Sequence, residues 1–104
     1  MTDDAADCSV FSIRRSGDRV TEEMIVRAGR TCRTIMTNVV GPVLEARITK
    51  KPTRGSAAVT ATALVYEPER GFVGKDRFRY VRLENGPGGI VRSSVVVIVE
   101  VIPD

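Results

Sequence analysis

The sequence lacks histidine and tryptophan altogether. Without histidine the chain can build neither a histidine general base nor a histidine metal ligand. Its carboxylates are scattered apart from Asp3-Asp4 and Glu22-Glu23, and neighbouring residues on a strand point to opposite faces. We therefore expect no enzymatic activity and no cofactor.

Amide side chains and long apolar runs are also scarce. Only two asparagines are present, Asn38 and Asn85, and no run of acidic and amide residues resembles a calcium loop, so calcium is not implied. The most apolar segment, Val95 to Ile102, is interrupted by Glu100 and is far shorter than the roughly 20 residues that cross a bilayer. It predicts a buried strand, and no membrane insertion is expected.

The chain is long enough for one core. Its 104 residues are 42% hydrophobic and 28% charged, which is typical of a single globular domain. The start, MTDDAAD, has no basic residue and so does not read as a signal peptide. We expect a flexible acidic N-terminus over residues 1–8 and one domain over residues 9–104.

The net charge of +3 conceals a more basic body. Leaving out Asp3, Asp4 and Asp7 leaves 16 basic and 10 acidic residues, a net charge of +6. This charge favours anionic partners such as glycans, lipopolysaccharide or nucleic acid, although it is also ordinary for a globular domain. No nucleic-acid-binding motif accompanies it, so nucleic acid is not expected as a partner.

Short β-prone runs recur between turn residues. The seven runs are SVFSI, MIVRA, TCRTIMT, VLEARIT, AAVTATALVY, RFRYVRL and IVRSSVVVIVEVI. Seven short strands predict an all-β, Ig-like antiparallel β-sandwich. The last two runs flank ENGPGG, Glu84 to Gly89, which predicts a hairpin. Residues 20–29 are ambiguous, because Val20, Met24 and Ala28 have helical spacing whereas Met24 and Val26 fit a strand; a short isolated helix would be marginal, so we favour the strand.

The stretch YEPERGFVGKDRFRYVR, residues 66–82, reads as a turn followed by a strand. Phe78 and Tyr80 alternate with Arg77 and Arg79, so the rings are expected to face the core and the guanidinium groups the solvent. Asp76 precedes them and is expected to accept hydrogen bonds from backbone N–H groups at the corner.

This stretch carries a family resemblance. Leu64 to Pro103 resembles the closing half of bacterial Ig-like, cadherin-like modules, which have a Gly-Phe-x-Gly-x-Asp-x-Phe-x-Tyr run, a glycine-rich hairpin and a valine-rich last strand. KPTRGSAAV, residues 51–59, which follow Lys50, resembles the approach to that half. The resemblance implies an antiparallel β-sandwich that is secreted or periplasmic and of a kind often repeated in tandem in surface and adhesion proteins, and it says little about the partner.

The export implied by this resemblance bears on the two cysteines. Cys8 and Cys32 are expected to form a disulfide, which would tie the first residues to the body of the domain. Two free buried thiols are the alternative, since the spacing alone does not decide between them.

Two surfaces are candidates for binding. The first is basic and would hold an anion if its members converge: Arg47, Lys50, Lys51, Arg54, Arg77 and Arg79, with Arg82 also available. The second is aliphatic and lies on the face of the last two strands that should be wet: Val81, Leu83, Val96 and Ile98.

These features indicate a non-enzymatic, extracytoplasmic binding or assembly module. The first expectation is protein–protein interaction through the aliphatic face, with a homodimer or another protein as partner and Arg79 and Arg92 near the rim. The alternatives are a polyanion binder that uses the basic residues, and a protein inhibitor or accessory subunit.

Overall fold

The computed structural model describes residues 8–36, 41–60 and 62–104, and these residues form strands and turns with no helix. The N-terminal segment lies outside the described residues apart from Cys8, which begins the first strand. The strands are β1 (Cys8–Ser16), β2 (Arg19–Arg27), β3 (Cys32–Ile35), β4 (Val43–Lys50), β5 (Gly55–Thr60), β6 (Ala63–Pro68), β7 (Gly74–Gly86) and β8 (Gly89–Ile102). The all-β prediction is confirmed.

Two sheets pack face to face as a sandwich. The larger has the order β1-β2-β8-β7-β4 and the smaller has the order β3-β6-β5. The orders β4-β7-β8 and β3-β6-β5 are those of the C-F-G and B-E-D strands of an Ig-like sandwich. All strand pairs are antiparallel except β2 with β8, which run parallel, so the sequence-based description of a wholly antiparallel sandwich is corrected for this pair.

One predicted strand is a hairpin. The run AAVTATALVY predicts a single strand, but β5 ends at Thr60 and β6 begins at Ala63, and the two strands pair antiparallel. The alternation changes phase at this turn: Ala57 and Val59 pack on the core from odd positions, whereas Leu64 and Tyr66 do so from even ones. A phase change without glycine or proline is a weak turn signal, so the sequence pattern does not predict this turn.

The ambiguous segment is a strand. Val20, Met24 and Val26 are buried along β2 at a period of two, and β2 lies between β1 and β8. Strand pairing on both sides satisfies its backbone groups and its buried side chains complete the core, whereas a short isolated helix would be marginal. The preference for a strand is confirmed.

The core is built by alternation along β7 and β8. Phe78 and Tyr80 are buried on β7, and the odd-numbered valines 95–101 are buried opposite them on β8. The ring of Phe78 stacks on that of Tyr66 from the smaller sheet, with centroids 5.8 Å apart. β7 and β8 are joined at Pro87–Gly88, so the hairpin prediction is confirmed.

A disulfide joins the two sheets. Cys8 on β1 and Cys32 on β3 are bonded, with their Cα atoms 5.5 Å apart. Cys32 is fully buried in the core cluster and Cys8 packs against it. The disulfide prediction is confirmed, and the bond anchors the first strand of the larger sheet to the edge of the smaller one.

Candidate anion-binding face

The outer face of β7 presents a row of cations. Lys75, Arg77 and Arg79 are exposed, while Asp76, Phe78 and Tyr80 between them are buried. Successive outward positions on a strand lie about 7 Å apart, so the three charges form an evenly spaced line. The predicted alternation of rings inward and guanidinium groups outward is confirmed at these positions.

The segment after β4 is drawn to this row by a buried carboxylate. Asp76 Oδ1 accepts hydrogen bonds from the backbone N–H groups of Thr53 (3.0 Å) and Arg77 (2.8 Å). Its Oδ2 accepts from the N–H group of Arg54 (3.0 Å) and the hydroxyl group of Tyr66 (2.8 Å). The expected role of Asp76 is confirmed, and these bonds hold residues 51–54 beside the start of β7.

The same corner restrains Tyr66 and Arg54. Burial, followed by the nearby Asp76 carboxylate, raises the pKa of Tyr66, so its hydroxyl group stays protonated and keeps donating. The guanidinium of Arg54 lies over the ring of Phe72, 4.7 Å from the centroid, and pairs with Glu69 at 3.2 Å. A cation on an aromatic face is held in a narrower range of orientations than a free one.

Basic side chains converge on a depression of about 450 Å³, which we call the basic depression. Its basic lining residues are Lys50, Lys51, Arg54, Lys75, Arg77 and Arg79. Five of the six residues predicted as anion-binding are therefore brought together, whereas Arg47 lies farther along β4, opposite Val81. Sequence reasoning missed Lys75, although it continues the outward alternation of Arg77 and Arg79.

Most of these cations keep their charge available. Arg54 pairs with Glu69, and Lys75 lies 3.9 Å from Glu100, but both pairs are exposed and such pairs are weak. The other four make no ion pair with any residue that the structure describes: Lys50, Lys51, Arg77 and Arg79. Asp76 lines the depression, yet both of its oxygens are already hydrogen bonded.

Arg82 does not join this face. It occupies an inward position of β7, is 3% exposed, and its Nη2 lies 3.0 Å from Oε2 of Glu84, which is 1% exposed. The parity that turns Phe78 inward also turns residues 82 and 84 inward, so the expectation that Arg82 belonged with the basic set was wrong.

Glu22 lies near Tyr80 and Arg82, and we call these three residues together with Glu84 the interior polar cluster. Glu22 on β2 accepts a hydrogen bond from the hydroxyl group of Tyr80 at 3.3 Å. Burial raises the pKa of Glu22, and the Arg82 charge and the Tyr80 hydrogen bond oppose that change without cancelling it. The interior of the sandwich thus contains acidic and basic groups that apolar patterning does not predict.

The four predicted interface aliphatics lie on the same outer face, but they do not pair with one another. Across the β7–β8 ladder, Val81 is opposite Ser94, Leu83 opposite Arg92, Val96 opposite Arg79 and Ile98 opposite Arg77. Val81 is 7% exposed and the other three are partly buried. The aliphatic and basic positions therefore alternate, and long arginine stems are well suited to cover such neighbours.

Over the described parts of the chain, no group of three or more His, Cys, Asp or Glu side chains is placed to hold a metal ion. No helix among the same residues is long and apolar enough to cross a membrane. No family model matches the chain, and no curated protein matches it significantly.

Proposed function

We propose that the protein is a non-enzymatic, extracytoplasmic binding module that holds an extended anionic ligand in the basic depression. The disulfide supports the compartment, because such bonds persist in oxidising environments. The resemblance of residues 64–103 to bacterial Ig-like, cadherin-like modules points the same way.

One observation carries the choice of ligand. Six cations from three separate segments, namely the end of β4, the following loop and β7, line one depression. Cations gathered this closely repel one another, and a bound polyanion relieves that repulsion while releasing its own counterions. The aliphatic face is a weaker candidate for the binding surface, because each of its four residues has a polar or basic cross-strand partner.

The experiment uses linear polyphosphate, which carries dense charge without bases or sugars. Fluorescence-monitored titration should show binding that weakens steeply as salt rises, since counterion release drives it. The double variant Arg77→Gln/Arg79→Gln should bind at least about tenfold more weakly and with a shallower salt dependence. Arg33→Gln is the control, because Arg33 is exposed on β3 of the opposite sheet.

Two results would contradict the proposal. One is an absence of polyphosphate binding by the wild-type protein even at low salt. The other is an equal loss in Arg33→Gln and a single Arg79→Gln variant, because binding would then follow net charge and not the depression.

Self-association through the aliphatic face remains a second prediction. Leu83, Val96 and Ile98 are only partly buried, and burying them between two copies would stabilise a dimer. Sedimentation should then show a dimer that Val96→Lys dissociates without unfolding. Because Arg79 and Arg77 lie opposite Val96 and Ile98, such a dimer should be weaker at low salt, which is the reverse of polyanion binding.

A further inference from the structure

The basic depression continues into a second depression on the same sheet. This second depression has a volume of about 470 Å³ and shares Arg79 with the first. The arginines that line it are Arg19 on β2, Arg79 on β7 and Arg92 on β8. From Lys75 to Val81 the two depressions follow β7 for about 20 Å, six residues at the rise of a strand. We call the pair the groove.

The lining of the groove changes along its length. The first half is dominated by charge, whereas the second half adds the neutral hydroxyl residues Thr21, Thr49 and Ser94 beside the aliphatic Val81 and Val96. Hydroxyl groups both donate and accept hydrogen bonds, so they suit a ligand that presents neutral hydroxyl groups between its anionic groups. A ligand made of charge alone would leave this half of the groove unused.

No aromatic side chain is available on this surface. Phe78 borders the groove, but its ring is fully buried in the core, and the other described rings, of Tyr66, Tyr80, Phe72 and Phe11, do not line either depression. Single-stranded nucleic acids bind through aromatic rings on which the bases stack. The aliphatic floor instead suits the C–H faces of a ligand without large flat rings.

The size of the groove argues against a small anion. Two connected depressions, with cations repeating about every 7 Å along β7, match a linear polymer that carries anionic groups at intervals. A single phosphate or sulfate ion would meet only a fraction of these side chains.

From these features we infer that the ligand is a linear acidic polysaccharide, with carboxylate or sulfate groups contacting the arginines and sugar hydroxyl groups contacting Thr21, Thr49 and Ser94. This inference rests on the proposed function, since it assigns a chemical class to the polyanion bound there. Carboxylated and sulfated chains share this chemistry, and the experiment separates them.

The experiment compares four probes of matched charge number at one salt concentration: polygalacturonate, heparin, oligothymidylate and polyglutamate. At least one polysaccharide should bind about tenfold more tightly than the oligonucleotide or the polypeptide, a difference that a few additional hydrogen bonds provide. Preference for polygalacturonate identifies carboxylate as the anionic group, and preference for heparin identifies sulfate.

A hydroxyl-deletion variant tests the second half of the groove. Thr21→Val/Thr49→Val keeps every charge and places residues with high strand propensity on β2 and β4, so the fold should be retained. It should weaken polysaccharide binding several-fold and leave polyglutamate binding unchanged. Ser94→Ala provides an independent variant with the same expected pattern, and urea unfolding checks that both remain folded.

The outcomes distinguish the two proposals. Equal affinity for all four probes, tighter binding of oligothymidylate, or hydroxyl variants that bind polysaccharide like the wild type would each overturn the polysaccharide assignment, while polyphosphate binding would still support a polyanion site. Failure of the wild-type protein to bind polyphosphate even at low salt would overturn the proposed function itself, and the polysaccharide assignment with it.

Discussion

Replacing Asp76 by alanine tests how the corner of the sandwich is held. The carboxylate of Asp76 is 8% exposed and accepts hydrogen bonds from Tyr66 and from three backbone N–H groups. Without it, the buried Tyr66 hydroxyl loses its acceptor, which costs about 1–3 kcal/mol. The three N–H groups lie nearer the surface and recover part of their bonding from water, at a net cost of about 0.5 kcal/mol each.

These contributions give an expected loss of about 3 kcal/mol in the free energy of unfolding. Urea denaturation with the disulfide intact measures it. Asp76→Asn should lose less, because an amide keeps the shape and one acceptor oxygen. Tyr66→Phe should also lose less, and the double variant Asp76→Ala/Tyr66→Phe should fall short of additivity by about 1 kcal/mol, since the hydroxyl that needs an acceptor is then absent.

The same change should weaken anion binding. Residues 51–54 approach β7 through the bonds to Asp76, so their release separates Lys51 and Arg54 from Arg77. Polyphosphate affinity should be lower in Asp76→Ala than in Asp76→Asn, which loses the same negative charge but keeps one acceptor oxygen, under conditions in which both variants are still folded. The reasoning would be refuted by an unfolding free energy within about 0.5 kcal/mol of the wild type, or by strict additivity in the double variant.

Three further predictions follow from the core, the disulfide and the interior polar cluster. Phe78→Ala should lower the free energy of unfolding by about 3–5 kcal/mol because it leaves a cavity beside Tyr66, whereas Arg79→Ala on the solvent-facing side should lower it far less. Equal losses for both variants in urea denaturation would show that the assignment of inward and outward side chains on β7 is wrong. Thiol titration of denatured, unreduced protein should find no free thiol at Cys8 or Cys32, and reduction should lower stability by about 3 kcal/mol; two titratable thiols would contradict the bond. The raised pKa of Glu22 means that the folded state binds its proton more tightly than the unfolded state, so this contribution to stability is complete below the unfolded pKa and is lost as pH rises through the folded pKa. Glu22→Gln should therefore gain stability relative to the wild type as pH rises above the usual range of a glutamate, and a difference that does not change with pH would refute this.

Local patterns in the sequence determined much of the fold. The alternation of rings and guanidinium groups around Phe78 was sufficient to predict which side of β7 faces the core, because side chains on a strand repeat every two residues. The glycine-rich hairpin could also be predicted, since it depends on neighbouring residues, whereas only one hydrogen bond to Asp76, from the N–H group of Arg77, is local. The same period also turns Arg82 inward, so its position on β7, and not its charge, decides that it lies apart from the other basic residues.

Tertiary structure alone decided what depends on distant parts of the chain. The parallel pairing of β2 with β8 brings Glu22 to Tyr80, and the packing of the smaller sheet on the larger one places Tyr66 beside Phe78. The candidate site is of this kind, because Arg54 reaches Arg77 only when Asp76 binds backbone groups 22 and 23 residues earlier in the chain. The two-residue repeat of a strand predicts which face of the sheet a side chain occupies, but it does not predict which strand lies beside it. Packing over the whole sandwich sets the strand register and the position of the loop after β4. From the sequence alone, an anion-binding face could therefore be predicted only on the condition that the three basic segments converge.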